Sequence, residues 1–208
     1  MIAGAAYGVA LNDRNLLSSH QQAFAEAPYK APPKAPVLYI KTRNCLTTGG
    51  APVLTDLKAV QAAATIGVLF ARDLTRASPG EVRAAIGAVC LALDVSEPSD
   101  SYYRPAIRQQ CRDGFLPLGA LTALPSTFED IVTQIDGKEV HRWSLDRLVR
   151  PLETAASEIS AFMTLQAGDL LLLGLAADAP TAQPGQTVTV SSRGLPVLTT
   201  AIVPEAGR

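Results

Sequence analysis

Apolar residues recur along the chain in short runs that predict strands more often than helices. Strands are predicted at 5–11, 37–40, 64–70, 170–173, 187–190 and 195–202. Helices are predicted at 18–27, where Phe24 is the expected buried anchor, at 79–91 and at 152–165. Because the strands outnumber the helices and do not alternate with them, the pattern favours an α+β, mainly β fold over a doubly wound sheet.

Three local signals place boundaries along the chain. Ser78-Pro79-Gly80-Glu81 is a capping box with proline at the first helical position, and it opens the helix predicted to run to about Leu91. Asp136-Gly137 lies between two runs of alternating residues and predicts a tight β-hairpin. Four prolines between 28 and 36 exclude a helix there. Since few residues precede them, we expect 1–35 to dock on one domain that spans 1–208.

Composition narrows the possible functions. The chain has 208 residues and a net charge of -1, which excludes a nucleic-acid binder that relies on a basic surplus. With 48% hydrophobic residues the chain is also unlike a disordered protein. The longest apolar run, at 170–177, is far shorter than the roughly 20 residues of a spanning helix. We therefore expect a cytoplasmic protein without a nucleic-acid or membrane partner.

The three cysteines, Cys45, Cys90 and Cys111, are widely spaced and form neither a CxxC motif nor a Cys/His pair. That spacing predicts neither a zinc site nor a disulfide framework. We expect three reduced thiols.

The segment 94–119 differs from the rest, because tyrosines, arginines and aspartates gather there without a clear period. Arginine side chains bind carboxylates through two parallel hydrogen bonds, and tyrosines add hydroxyl donors. One interpretation is a pocket for a small acid, with Tyr103, Arg104 and Arg112 as binding groups. The other is a solvated loop with a structural pair between Arg112 and Asp113, and composition does not decide between them.

Several motifs in this chain resemble those of the fumarylacetoacetate hydrolase family. They are PVLYIK at 36–41, DVS at 94–96, CRDGFLPLG at 111–119 and AGDL at 167–170. Their order and spacing match the family over essentially the whole chain. The runs VALN at 9–12, PYKAPPK at 28–34 and YRPAI at 103–107 resemble, within that family, the first half or first subunit of isomerase/decarboxylases that degrade 4-hydroxyphenylacetate.

The resemblance implies a mixed β-sandwich roll with a few packed helices. It implies action on small oxo-dicarboxylic or tricarboxylic acids, namely decarboxylation of 5-oxopent-3-ene-1,2,5-tricarboxylate and isomerisation of 2-hydroxyhepta-2,4-diene-1,7-dioate. Both reactions pass through an enolate, which a divalent cation stabilises as a Lewis acid. The substrate contacts predicted for this chain are Lys41, Tyr103, Arg104 and Arg112.

The chain departs from the family pattern at the metal. The family supplies Mg²⁺ or Mn²⁺ with a Glu-x-Glu pair and a later Asp, yet the pair is replaced here by Ala63 and Thr65. Only Asp94 remains, so it is the one residual catalytic position, and no other catalytic residue is assigned. A family lysine is Gln110 here, and a family His and Glu near the N-terminus fall on about Leu16 and Ser19.

A single carboxylate is a weak site for Mg²⁺. We therefore expect no metal bound by this chain alone, and Mg²⁺ or Mn²⁺ on a partner subunit. The first hypothesis is a subunit whose homologous partner carries the metal. The second is an enzyme with metal-free chemistry that uses Arg104, Arg112 and Asp94. The third is a binding or structural protein without catalysis, such as a homodimer retained for a scaffold role.

Overall fold

The computed structural model describes residues 2–27, 30–98 and 106–205. Tyr103 and Arg104, two of the predicted substrate contacts, lie outside the described residues. The strands of the described part are β1 (Ala6–Ala10), β2 (Val37–Lys41), β3 (Leu46–Thr47), β4 (Val53–Thr55), β5 (Val60–Phe70), β6 (Ile86–Ser96), β7 (Leu116–Pro117), β8 (Ile131–Ile135), β9 (Lys138–Trp143), β10 (Leu170–Leu172), β11 (Thr181–Ala182), β12 (Thr187–Ser191) and β13 (Leu198–Pro204).

The helices are short and few in the described part. They are α1 (Arg14–Ser19), α2 (Gln21–Ala25), α3 (Pro79–Ala85), α4 (Ile107–Gln110) and α5 (Leu152–Ser160), with 3-10 turns at Arg43–Cys45 and Leu145–Arg147. The α+β, mainly β fold class expected from the sequence is therefore confirmed. None of the described helices is long and apolar enough to cross a membrane.

Two sheets form the body of the described structure. In the first, the long strands β5 and β6 pair antiparallel along their length, and β5 also pairs with β10 and β11. Strand β10 continues the sheet to β1 and then β2. The second sheet runs in the order β4-β13-β12-β8-β9. A short parallel pair, β3 with β7, forms a separate two-stranded sheet, and Leu116 of β7 packs with residues of the first sheet.

The main core lies on one face of the first sheet. Side chains alternate between the two faces of a strand, so Ala62, Ala64, Ile66 and Val68 of β5 share the face that belongs to this core. Residues of β8, β12 and β13 belong to the same cluster, as do Ala155, Ala156 and Ile159 of α5. The opposite face of the first sheet carries a second, smaller cluster with Leu170, Leu172 and Cys90. This second face carries the site described below.

The predicted end of the helix at 79–91 is wrong. The capping box of Ser78 and Glu81 does open a helix, but α3 ends at Ala85 and the chain continues as strand β6 from Ile86. The apolar positions that suggested a longer helix face belong instead to a strand that is paired along β5. The hairpin prediction is confirmed, since β8 and β9 join through Asp136 and Gly137, both with positive φ.

The predicted helix at 18–27 is also wrong, because the structure has two short helices, α1 and α2, that meet at His20. The first begins earlier than expected, because the side chain of Asp13 accepts hydrogen bonds from the amides of Asn15 and Leu16. Phe24 is buried as predicted. Helix α5 ends at Ser160, short of the predicted end at 165.

The N-terminal segment is tied to the body of the fold by buried polar contacts. Asn12 Nδ2 donates to the carbonyl oxygens of Arg150 at 3.0 Å and Leu173 at 2.6 Å, and its Oδ1 accepts from the Arg150 amide at 2.9 Å. Asp13, wholly buried, accepts from Trp143 Nε1 at 3.1 Å and pairs with Arg147 at 2.8 Å. Further along, Arg150 Nη2 donates to the Lys34 carbonyl at 2.8 Å.

Candidate functional site

The candidate site lies on the second face of the first sheet. Because alternate residues share a face, Tyr39 and Lys41 project together from β2, and Ala63 and Thr65 project together from β5. Asp94 projects to the same face from β6, since its neighbours Leu93 and Val95 belong to the main core on the other side. Strand pairing places Ala63 and Thr65 beside β6, which carries Asp94, whereas Tyr39 and Lys41 reach Asp94 from β2, which is not paired with β6.

Among the described residues, the Lys41 ammonium has four polar partners. Its Nζ lies 2.7 Å from Asp94 Oδ1, and both side chains are almost wholly buried, at 0% and 2% exposure. The same ammonium donates to the carbonyl oxygens of Val95 at 2.7 Å, Gln110 at 2.7 Å and Phe115 at 3.2 Å. A buried charge is tolerated only when it is paired and hydrogen-bonded, and Lys41 meets both conditions.

Tyr39 completes the pairing of Asp94. Its hydroxyl donates to Asp94 Oδ2 at 2.6 Å, so each oxygen of this carboxylate already has a protein partner. Burial, with the adjacent negative charge of Asp94, raises the pKa of Tyr39 well above its ordinary value. Tyr39 therefore acts as a hydrogen-bond donor over the accessible pH range.

The space for Tyr39 is provided by Gly8. The two residues are opposite one another in the β1–β2 pair. A Cβ added to Gly8 would lie 2.0 Å from Tyr39 Cζ and 2.3 Å from its hydroxyl oxygen. Only a residue without a side chain allows the ring to cross β1 and reach Asp94.

The positions replaced by alanine and threonine lie directly beside Asp94. Ala63 is opposite Asp94 in the β5–β6 pair, and Thr65 is opposite Ala92. Thr65 is fully buried, and its Oγ1 has no hydrogen-bond partner in the part of the chain that the structure describes. A buried hydroxyl without a partner costs free energy, so position 65 is not optimised for the stability of the described fold.

Arg112 lies at a second cluster of charges, close to the first. Its guanidinium contacts Asp56, Glu97 at 2.9 Å and Glu205 at 3.6 Å. Burial opposes the charge of Arg112, but hydrogen bonds to Asp56 and Glu97 raise its pKa overall. A cavity of about 300 Å³ beside it is lined by Leu54, Arg112, Asp113 and Glu205.

Phe115 connects the two clusters. Its carbonyl accepts from Lys41, and its ring lies 5.4 Å from the Arg112 guanidinium carbon, within cation–π range. The predicted substrate contacts Lys41 and Arg112 are therefore neighbours in the fold. Both are engaged by protein acceptors, and a role for either toward substrate stays a prediction.

The family model described as fumarylacetoacetate (FAA) hydrolase C-terminal matches residues 5–203. The chain belongs to this family. Within it, the chain is 38% identical over 204 residues to the 4-hydroxyphenylacetate degradation bifunctional isomerase/decarboxylase of Escherichia coli, and 37% identical to the protein of that name from Salmonella dublin. Both alignments cover 97% of this chain and 48% of the relative, so the chain spans about half the length of these relatives.

Solved structures of fumarylacetoacetate hydrolase family members share the fold. The crystal structure of 5-carboxymethyl-2-hydroxymuconate delta-isomerase from Mycobacterium smegmatis superposes with a TM-score of 0.81 at 20% identity. The superposition covers 99% of this chain and 78% of the other. The expected fumarylacetoacetate-hydrolase-like architecture is confirmed.

The residues predicted from the sequence to occupy the family metal positions do not fit a divalent cation. Ala63 offers no ligand, Thr65 offers a neutral hydroxyl, and Asp94 is already bound by Lys41 and Tyr39. Mg²⁺ and Mn²⁺ prefer several oxygen ligands with carboxylates among them. Across 2–27, 30–98 and 106–205, no group of three His, Cys, Asp or Glu residues is arranged to hold a metal ion.

The remaining family positions have other partners in this chain. Gln110, where the family has a lysine, contributes its backbone carbonyl to Lys41. Leu16 and Ser19 lie in α1, and both contact the imidazole of His20, whose Nδ1 is 2.9 Å from the Leu16 oxygen and 3.1 Å from Ser19 Oγ. The helix near the N-terminus thus carries a histidine, but at its C-terminal end.

Sequence reasoning missed two members of the site. Tyr39 was recognised only as part of a motif, and Gly8 only as part of a strand. The period of two in VLYIK was the available signal for Tyr39, since it places that residue on the same face as Lys41. No signal in the sequence indicated Gly8, whose importance depends on its pairing with Tyr39.

Proposed function

We propose that this chain is a subunit, or the first half, of an isomerase/decarboxylase of 4-hydroxyphenylacetate catabolism. Its substrates would be 5-oxopent-3-ene-1,2,5-tricarboxylate and 2-hydroxyhepta-2,4-diene-1,7-dioate, and a homologous partner would hold the divalent cation. Identity of 37–38% over 97% of the chain supports the reaction class. The match to only 48% of each relative supports a two-part arrangement.

The assignment of the metal to the partner chain rests on one observation. Ala63 is opposite Asp94 where the family places a carboxylate, and Lys41 and Tyr39 take both oxygens of the remaining Asp94. A divalent ion at this position would have to displace a buried ammonium and would then have Asp94 as its one carboxylate ligand at these positions. We therefore assign the metal to the partner.

The positions of Lys41 and Arg112 fit a chain that supports the site without stabilising the enolate itself. Both proposed reactions develop negative charge on an enolate, which is stabilised by a cation already directed at that charge and not neutralised by another group. Lys41 and Arg112 are each neutralised by carboxylates of this chain. These two cations would stabilise the segments beside the cavity at Arg112, and a metal held by the partner would supply the charge that stabilises the enolate.

The test is reconstitution with a homologous chain that carries an intact Glu-x-Glu motif. Turnover of both substrates is measured with Mg²⁺ for this chain alone, for the partner alone and for the two co-expressed. We expect no turnover by this chain alone and full turnover by the pair. Replacing both glutamates of the partner's motif with alanine should abolish the activity of the pair.

Two outcomes would contradict the proposal. Metal-dependent turnover by this chain alone would place a working metal site within it. Turnover by this chain alone that survives EDTA and is lost in Arg112→Ala would support metal-free chemistry instead.

A direct metal test needs no partner. Millimolar Mg²⁺ or Mn²⁺ should leave the melting temperature of the isolated chain nearly unchanged, because a ligand stabilises a protein only through a real site. A rise of more than about 5 °C would oppose the proposal, because it corresponds to roughly 1–2 kcal/mol for a domain of this size. Asp94→Asn provides the control for any rise that is observed.

A further inference from the structure

Two of the three cysteines meet where the 3-10 turn Arg43–Cys45 packs against the residues that follow α4. Asn44 Nδ2 donates to the Cys111 carbonyl at 3.0 Å, and the Gly114 amide donates to the Asn44 carbonyl at 2.9 Å. Cys45 Sγ lies 3.9 Å from the Gln110 carbonyl oxygen. Since that carbonyl is bonded to the Cys111 nitrogen, the Cys45 sulfur is within roughly 7 Å of the Cys111 Cα. Cys111 also packs against the buried cluster that contains Cys45. A disulfide between them requires that rotation of the two side chains brings the sulfurs together.

The two thiols differ in access. Cys111 is partly exposed and its Sγ lies 3.3 Å from the Ile40 carbonyl, whereas Cys45 is fully buried. Burial raises the pKa of Cys45, while the neighbouring Lys41 charge opposes that rise. An external reagent can therefore reach Cys111 first, and the buried Cys45, whose pKa is raised overall, can react only in a second step within the protein.

Cys90 is a different case. It lies in β6 opposite Gly67, and burial raises its pKa to about 12. It is fully buried and has no route to an external reagent in the described structure. It serves as an internal control for thiol chemistry.

We propose that Cys45 and Cys111 form a reversible dithiol–disulfide site. With a small-molecule disulfide as oxidant, the Cys111 thiolate attacks one reagent sulfur, forming a mixed disulfide and releasing one reagent thiol. The Cys45 thiolate then attacks Cys111 Sγ, forming the protein disulfide and releasing the second reagent thiol. Two protein S–H bonds are oxidised to one S–S bond, and the reagent disulfide is reduced to two thiols.

The link would act on the candidate site directly. Gln110, whose carbonyl binds Lys41, and Arg112 flank Cys111 in the sequence. Oxidation would fix this segment to the 3-10 turn next to strand β2, which carries Lys41. The oxidised and reduced forms would therefore differ in the freedom of the Arg112 segment.

The experiment uses the full chain treated with a stoichiometric amount of oxidised glutathione, followed by intact-mass measurement and non-reducing tryptic mapping. We expect a mass lower by about 2 Da, from loss of two hydrogens, and a linked pair of peptides at 44–58 and 109–112. The peptide 84–108, which carries Cys90, should keep a free thiol. Dithiothreitol should reverse the change.

Three variants resolve the steps. Cys45→Ser should stop at a stable glutathione adduct on Cys111, Cys111→Ser should give neither adduct nor loss of hydrogens, and Cys90→Ala should behave as the parent chain. A stable adduct on Cys111 in the parent chain, a disulfide between two chains, or any link to Cys90 would overturn the proposal. The mapping of the parent chain decides the question even if a variant does not fold.

Discussion

The ring of Tyr39 occupies the space that a side chain on Gly8 would need, with the nearest ring carbon 2.0 Å from the position of a Gly8 Cβ. The glycine thereby allows the hydroxyl of Tyr39 to reach Asp94 across strand β1. The absence of a side chain at Gly8 in β1 thus allows the Asp94 carboxylate in β6 to accept a hydrogen bond from Tyr39.

Gly8→Ala should destabilise the fold by displacing Tyr39 from Asp94. Tyr39→Phe isolates the hydrogen bond, and its loss from a charged acceptor should cost about 1.5–3 kcal/mol. We expect Gly8→Ala to cost at least as much, because the ring itself must move. Urea unfolding of both variants provides the measurement.

Gly80→Ala is the matched control for this experiment, because nothing lies within 4 Å of a Cβ at that position of α3. It should leave stability unchanged or raise it slightly. Equal effects of Gly8→Ala and Gly80→Ala would refute the steric relationship between Gly8 and Tyr39.

The contributions of Lys41 and Asp94 to the free energy of unfolding should be coupled, so that each residue stabilises the fold only when the other is present. Lys41→Met leaves a buried carboxylate with Tyr39 as its only described partner, and about 3–5 kcal/mol should be lost. The double variant Lys41→Met with Asp94→Leu should lose less than the sum of the single changes, because it buries no unpaired charge. Thermal or urea unfolding of the four proteins in the cycle measures the coupling.

The exposed pair Arg83–Glu153, with a 2.8 Å contact, is the control for burial. Arg83→Ala should cost less than about 1 kcal/mol, because surface ion pairs are screened by water and salt. Additive effects at Lys41 and Asp94 would show that the buried contact does not couple them.

Thr65→Val should raise stability or leave it unchanged. The substitution keeps the shape of the side chain and removes a buried hydroxyl that has no described partner, which removes a cost of about 1–3 kcal/mol. Thr133, also fully buried with an unpartnered hydroxyl, provides a second test site in the other sheet. Calorimetry should show an unchanged or higher melting temperature for Thr65→Val and Thr133→Val alike.

A lower melting temperature in Thr65→Val alone would indicate a polar partner for its hydroxyl. That partner would then be sought on the second face of the first sheet, which carries Ala63 and Thr65. Thr65→Ser separates the two cases, since it keeps the hydroxyl and loses only a methyl group.

Stability should fall in acid partly through Asp178. A hydrogen bond from Arg147 is the main cause that lowers its pKa to about 2 from the usual 3.8, with His141 3.2 Å away as a further contributor. Since the folded-state pKa is the lower one, the stabilisation is present above pH 3.8 and is lost as the pH falls toward 2. The carboxylate is 59% exposed, so screening should keep the effect below about 1 kcal/mol.

The measurement compares the urea midpoints of the parent chain and Asp178→Asn at pH 5 and at pH 2.5. The difference between the two proteins should shrink at the lower pH. Salt should reduce it further at pH 5, and a difference that is constant with pH would contradict the assignment to Asp178.

Much of the fold could be predicted because its signals are local. The capping box at Ser78 and the turn at Asp136-Gly137 require only a few adjacent residues, and both are present as predicted. The end of α3 could not be predicted in this way. Residues from Ile86 onward satisfy a helical period, yet they form a strand because β5 offers a ladder of antiparallel pairs along their length.

The sequence by itself determined the family and the mainly β architecture, and it predicted that Ala63 and Thr65 replace two acidic positions of the family. It also indicated Lys41, Asp94 and Arg112 as charges of interest. Only the tertiary structure decided their partners, because the contacts of Asp94 come from strand β2, and Gly8 in β1 provides the space for one of them, Tyr39. Folding places strands distant in sequence within reach of one another, and no local pattern records which acceptor each buried charge will take.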